Sequence, residues 1–183
     1  MGLDLAARDL GDVERLLADV RSIPLPDASV DQVLLVSTLE HVGADNAVYG
    51  LEAKAADGGA ARHDALVELR RILRPGGNLL VTVPLGEPGD HGWFRQDDVV
   101  GWTSAFTRAG FFVEQQEAYE LVDKGWRAAP TFAPEGVRYG ERGPAASAVL
   151  CSVLSPGRLR RFLTPAGAAA TLKRRTRPVR NRS

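Results

Sequence analysis

At 183 residues, 44% hydrophobic and 25% charged, the chain can build one globular domain with a real core and is too short to argue for two. It holds no run approaching the roughly 18–20 apolar residues of a membrane span, and "MGLDLAARDL" lacks the basic-then-apolar order of a signal peptide, so a cytoplasmic location is expected. Cys151, the only cysteine, excludes an internal disulfide, and its setting in "AVLCSVL" marks a buried thiol better than a nucleophile.

In chain order, "GLDL" reads as the end of a strand and "VERLLADV" as a second strand ending at Asp19. "SVDQVLLVS" holds an apolar run bounded by polar residues, the pattern of a strand buried on both faces. "ADNAVYGLEAKAADGGAA" has no clear period and reads as a loop or irregular helix. "HDALVELRRILRPGG" is the strongest helix. Its Leu66, Leu69 and Leu73 fall three and four apart on one face, Asp64 stands where a cap would, and Pro75-Gly76-Gly77 stops it. "NLLVTVPLG" follows as a second buried strand, and "QDDVVGWTSAFTRAGF" as a helix opened by Asp97 and Asp98 and ended by Gly110. "FFVEQQEAYEL" and "ASAVLCSVLS" complete the set as late strands.

Strands alternating with helices of this size predict an α/β domain over 1–155, its sheet mostly parallel with a late antiparallel strand. Residues 156–183 form a basic tail: no Asp or Glu follows Glu141, and nine Lys or Arg fall between Gly157 and Ser183. A solvated end is its plainer reading, and contact with an anionic membrane surface or a partner its functional one. Nucleic acid has less support, because only Phe162 offers an aromatic ring among those charges.

Ligands in such sheets bind outside the carboxyl ends of the strands, which selects Asp4, Asp19, the stretch 37–41 and the stretch 84–93. "GLDLA", "ADVRSIPLPDASVDQVLLVSTLEHVG", "ALVELRRILRPGGNLLVTVP" and "FTRAGF", in this order, resemble the class I S-adenosylmethionine-dependent methyltransferases over residues 2–122. The resemblance implies a Rossmann-like sheet and S-adenosylmethionine as cofactor. It places Asp4 where a carboxylate takes the ribose hydroxyls. It places Asp19 where one takes the adenine amino group, with the backbone of Val20 reaching a ring nitrogen and Ile23 flanking the ring. Ser37, Thr38, Leu39 and Glu40 would line the cofactor. The plainer readings are that Asp4 caps a loop and that Glu40 pairs with an arginine.

Methyl transfer from a sulfonium needs mainly in-line positioning, since the cofactor carries the reactive group. A hydroxyl acceptor also needs a base, and histidine titrates near neutrality. His41 is the first candidate, against the alternative that it only caps the following segment, and His91 is the second, from the opposite lip. Trp93 and Tyr49 could offer flat walls to a sugar or lipid acceptor. A metal is not expected, because the additional Glu that some relatives use corresponds to Ser37. "RPGG" lacks the Lys-Ser or Lys-Thr of a phosphate loop.

The superfamily's glycine-rich G-x-G-x-G turn, with its central first strand and helix, has no counterpart before Asp4. Its lack would leave two parallel strands without a shared partner. A strand encoded upstream, or a true truncation, would each account for this. On either reading residues 1–183 alone are expected to bind cofactor weakly. The rival expectation is a non-catalytic remnant or accessory subunit that uses the fold as a scaffold.

Overall fold

The computed structural model describes residues 2–4, 14–47, 58–123, 125–131, 134 and 136–157. Strand β1 (Gly2–Asp4) pairs in parallel with β2 (Arg15–Leu17). Then come β3 (Val30–Val36), a single 3-10 turn (Leu39–His41), α1 (Gly58–Ile72) and β4 (Leu73–Pro84). Two short strands, β5 (Gly89–Asp90) and β6 (Arg95–Gln96), precede α2 (Val99–Arg108). The chain closes with β7 (Phe111–Val122), β8 (Gly125–Ala129) and β9 (Ala148–Pro156).

The main sheet has the order β3-β4-β9-β7-β8. β3 and β4 pair in parallel, and β9 pairs antiparallel with both β4 and β7. Thus β3, β4 and β7 run one way, and the late strand β9 lies reversed between two of them. This is the expected Rossmann-like α/β sheet with its antiparallel late strand. Among the described residues the β1–β2 pair forms a separate sheet and shares no ladder with β3.

Alternation places Leu79, Val81 and Val83 of β4 on one face, and Ala148, Leu150, Ser152 and Leu154 of β9 are the buried residues of that strand. Leu66 and Leu69 from α1 and Trp102 and Phe106 from α2 join these apolar side chains in one core cluster. Each such side chain contributes roughly 1.5–3 kcal/mol on burial. Arg71 fastens the connection between β2 and β3 to α1, donating to the carbonyls of Leu25 (2.8 Å) and Ile23 (2.9 Å) and to Asp27 and Glu68.

Three local expectations change. First, α1 spans Gly58–Ile72, so Asp64 lies inside the helix and caps nothing, and Leu73 with Pro75-Gly76-Gly77 falls in β4; Ala60 and Ala61 near its start supply helix propensity that a search for leucine spacing overlooks. Second, Asp98 alone caps α2, accepting from the Gly101 N–H at 2.6 Å, while Asp97 turns back to Arg95. Third, β3 is not buried on both faces. Leu35 is buried, but Leu34 is 67% and Val36 55% exposed, because β3 pairs only with β4 among the described residues. No helix of the described residues is long and apolar enough to cross a membrane. Cys151 is half-buried, and desolvation pushes its thiol up from the ordinary range.

Candidate functional site

At the carboxyl end of β3 the backbone turns sharply. Ser37 takes a left-handed conformation (φ 44), which a residue with a Cβ adopts at some cost. Its N–H is fixed by the Thr82 carbonyl (3.2 Å) and hydroxyl (3.0 Å), and the Thr38 hydroxyl donates back to the Val36 carbonyl (2.9 Å). Ser37 and Thr38 are exposed, whereas the turn that follows buries Leu39 and Glu40.

His41 emerges from this turn. A carbonyl can only accept, so the 2.8 Å contact between His41 Nδ1 and the Trp93 carbonyl is a bond donated by the imidazole. In the neutral ring the lone pair therefore sits on Nε2. The ring stacks on Trp93, with centroids 5.3 Å apart and planes 27° apart, and its side chain is 20% exposed. Glu40 Oε1 lies 3.9 Å from His41 Nε2. Burial, with the Glu40 backbone N–H pulling the other way, pushes that carboxyl up to about 7. Its Oε2 has no hydrogen-bond partner among the described residues.

The stretch 85–97 forms the opposite lip. It is held by Leu85 N–H to the Ala148 carbonyl (2.9 Å), and by the buried Gln96 side chain donating to the Glu87 and Val137 carbonyls (3.0 Å each). Asp45 N–H donates to the Gly92 carbonyl (3.0 Å), which ties the two lips together. His91 stacks on Phe94 with centroids 4.4 Å apart and planes 3° apart, and Phe94 also meets His41 (6.1 Å) and Tyr139 (4.4 Å). The two histidines proposed from sequence thus border one aromatic cluster. Trp93 stacks on the His41 ring, and Tyr49 lies outside the described residues. Tyr139 was not foreseen: it is 46 residues beyond Trp93 in an irregular segment, and no spacing rule points to it.

Asp19 follows β2. Arg21 takes both of its oxygens, through Nε (3.0 and 3.1 Å) and Nη2 (2.6 Å), and its backbone N–H donates to Oδ1 (2.8 Å). The Arg21 side-chain bonds hold the Asp19 carboxyl below its usual range against a weaker desolvation effect. Val20 is buried beside it, and no described residue accepts its N–H. Val20, Ile23, Leu35 and Thr38 border an apolar groove of about 420 Å³ along the open side of β3. The backbone of Asp4 ends β1, paired with Leu17, and its side chain lies outside the description.

The candidate residues thus lie at the carboxyl ends of β2 and β3, the edge at which Rossmann-like sheets bind their ligands. Residues 2–81 match the family model of a methyltransferase domain, and the fold of the chain is methyltransferase-like. One similar structure is a chain of the Haloferax volcanii complex between the Trm112 methyltransferase activator and a protein assigned as a methyltransferase. It is 22% identical, with 86% of this chain and 71% of that one covered and a TM-score of 0.54. Another is the Burkholderia thailandensis 1,6-didemethyltoxoflavin-N1-methyltransferase with bound 1,6-didemethyltoxoflavin and S-adenosylhomocysteine (15% identity, 83% and 58% covered, TM-score 0.53). A third is a Methanosarcina mazei S-adenosylmethionine-dependent methyltransferase (12%, 84% and 72%, 0.52). These likenesses are of fold, and the chain spans less than two thirds of the Burkholderia enzyme. No curated protein matches the sequence.

Proposed function

We propose that this domain transfers a methyl group from S-adenosylmethionine to a hydroxyl of a small molecule or of a glycan or lipid-linked sugar in the cytoplasm, with His41 as the base. The observation that carries this reading is the orientation of His41: its Nδ1–H is committed to the Trp93 carbonyl, so Nε2 is the basic atom of the neutral ring at the carboxyl edge of the sheet.

The residues present fit the cofactor in part. The groove bordered by Val20, Ile23, Leu35 and Thr38 suits a flat apolar ring, and the Val20 N–H has no acceptor among the described residues. Asp19 fits less well, since Arg21 must yield one carboxylate oxygen before an adenine amino group can use it. Asp4 would take the ribose hydroxyls. When bound, the cofactor supplies the electrophilic methyl group. The chain's own residues then do the rest: Ser37 and Thr38 line the mouth, Trp93 orients the His41 ring, and His41 Nε2 removes the acceptor's proton. The His91 ring borders the acceptor from the facing lip.

A second reading has its own observation. The β1–β2 pair and β3 share no ladder among the described residues, and apolar side chains stand exposed on β3. A scaffold that works with a partner, its basic tail touching a membrane surface or that partner, accounts for this. Calorimetric titration of S-adenosylhomocysteine, into this chain and into a form extended upstream in frame, separates the two. Binding with micromolar Kd to either form supports the enzyme reading, and His41→Gln in the binding form should then abolish turnover while leaving that Kd within threefold. Absence of binding to both folded forms would sink it and leave the scaffold.

A further inference from the structure

Because β3, β4 and β7 run one way, the sheet has two unlike ends. The candidate site occupies the carboxyl end. At the other end the last turn of α1 comes up to the end of α2, where Arg70 Nε donates to the Gly110 carbonyl at 3.0 Å. Arg108 stands two residues before Gly110, donating Nη1 to the Ser104 hydroxyl at 2.9 Å, and Phe112 stands two residues after it. Arg70 and Arg108 are both exposed, and neither has a carboxylate partner among the described residues.

Phe112 lies opposite Ser155 of β9 and is 60% exposed, while Phe111 beside it is buried. Its ring leans over Gly157, where a Cβ would stand 2.6 Å from Cε2. The acids at this end are engaged: Asp27 by Arg71 (2.6 Å), Asp31 by Arg74 (2.7 Å), and Glu114 Oε1 by the Ser155 hydroxyl (2.5 Å). Directly after Gly157 the sequence runs on as "RLRRFLTPAGAAATLKRRTRPVRNRS", with nine Lys or Arg and no acid. Leu159, Phe162 and Leu163 fall three and four apart among its first arginines. The tail therefore starts at an exposed aromatic ring, beside two arginines of the folded surface.

Polybasic segments are drawn to anionic lipid headgroups, and lasting attachment takes a second, apolar signal. Nucleic acid would answer the charge and offer Phe112 no apolar phase. We infer that this end of the sheet docks on an anionic lipid bilayer, with Phe112 entering the headgroup region and Arg70, Arg108 and the tail contacting lipid phosphates. The inference rests on the tail contact of the second reading and adds a folded surface to it. It serves an enzyme and a scaffold alike, since the candidate site lies at the opposite end of the sheet.

The test is co-sedimentation of the full chain at low salt with vesicles of phosphatidylcholine alone and of equal parts phosphatidylcholine and phosphatidylserine. Partitioning at least about tenfold stronger to the anionic vesicles is expected. Arg70→Gln with Arg108→Gln should weaken it about tenfold, and Phe112→Ser about fivefold. Arg127→Gln with Trp126→Ser, an arginine and an exposed aromatic on β8, should change it less than about twofold. Should the arginine pair fail to fold, Phe112→Ser alone decides, since its side chain is exposed. No partitioning of the folded chain to anionic vesicles overturns the inference together with the tail contact. Partitioning that falls when the tail arginines become glutamine, yet survives the Arg70, Arg108 and Phe112 substitutions, overturns the docking surface and leaves the tail contact standing. Partitioning that Phe112→Ser leaves unchanged also overturns it, because a purely electrostatic surface would serve nucleic acid equally.

Discussion

Replacing Glu40 with Gln tests the electrostatics of the site loop directly. The folded carboxyl titrates near 7 against an ordinary 4.5, so between those values the native state holds a proton that the unfolded chain has released. Stability must fall as pH rises through that window and level off above it, because the slope follows the difference in bound protons. About 2.5 pKa units at 1.36 kcal/mol each give a loss of about 3 kcal/mol. The amide cannot ionise, so Glu40→Gln removes this slope and leaves only a constant offset for its own hydrogen bonding. The groups with lowered values, Asp19, Glu68, Glu117 and Glu120, act with the opposite sign at lower pH and cancel in the comparison. Urea unfolding followed by tryptophan fluorescence from pH 4.5 to 8 is the assay. With an m-value of about 2 kcal/mol/M, the difference in midpoint between the two proteins should change by about 1.5 M across the window. Midpoints that run parallel within about 0.25 M would show that Glu40 is solvated and that its burial is not the source of the shift.

Other substitutions probe what holds the two lips in place. Asp98→Ala removes the cap on Gly101 and should cost about 1 kcal/mol, read as a fall of several degrees in melting temperature. Trp102→Phe strands the Pro84 carbonyl, which now accepts the indole N–H at 2.8 Å in the core, and should cost about 1–3 kcal/mol in urea melts. At Gly86 (φ 154) a Cβ would meet the Val137 carbonyl at 2.0 Å. Gly86→Ala should therefore destabilise by 2 kcal/mol or more and loosen the 85–97 lip, seen as faster hydrogen exchange there. Leu34→Lys, on the exposed face of β3, should leave stability within about 0.5 kcal/mol; a larger loss would mean that Leu34 is covered.

The elements were legible because each leaves a local trace: apolar runs at β3, β4 and β9, leucine spacing in α1, an Asp at the start of α2 and Gly110 at its end. β8 left none, since "GWRAA" is almost wholly exposed and among the described residues pairs only with β7. The openness of β3 was illegible for a different reason. A composition such as "VLLV" records what a strand can bury, whereas its burial depends on neighbours that the run itself does not name. The site shows the same division. His41 could be selected from its position after β3, but the acceptor that orients it is a main-chain carbonyl 52 residues away, and every residue carries a carbonyl. The depth of Glu40 was hidden likewise, in a motif that reads as polar.

The reversed strand β9 also governs when this molecule can exist. Among the described residues the β3–β4 unit and the β7–β8 hairpin touch as sheets only through β9, which pairs with β4 and β7. As the chain leaves the ribosome, everything up to Pro134 can be present while the two parts still carry raw edges. Only with the arrival of residues 148–156 does the sheet close. Such late, long-range closure makes for slow folding, and a nascent chain paused before Ala148 would expose two adhesive strand edges at once, the state in which chaperone capture or mispairing is decided.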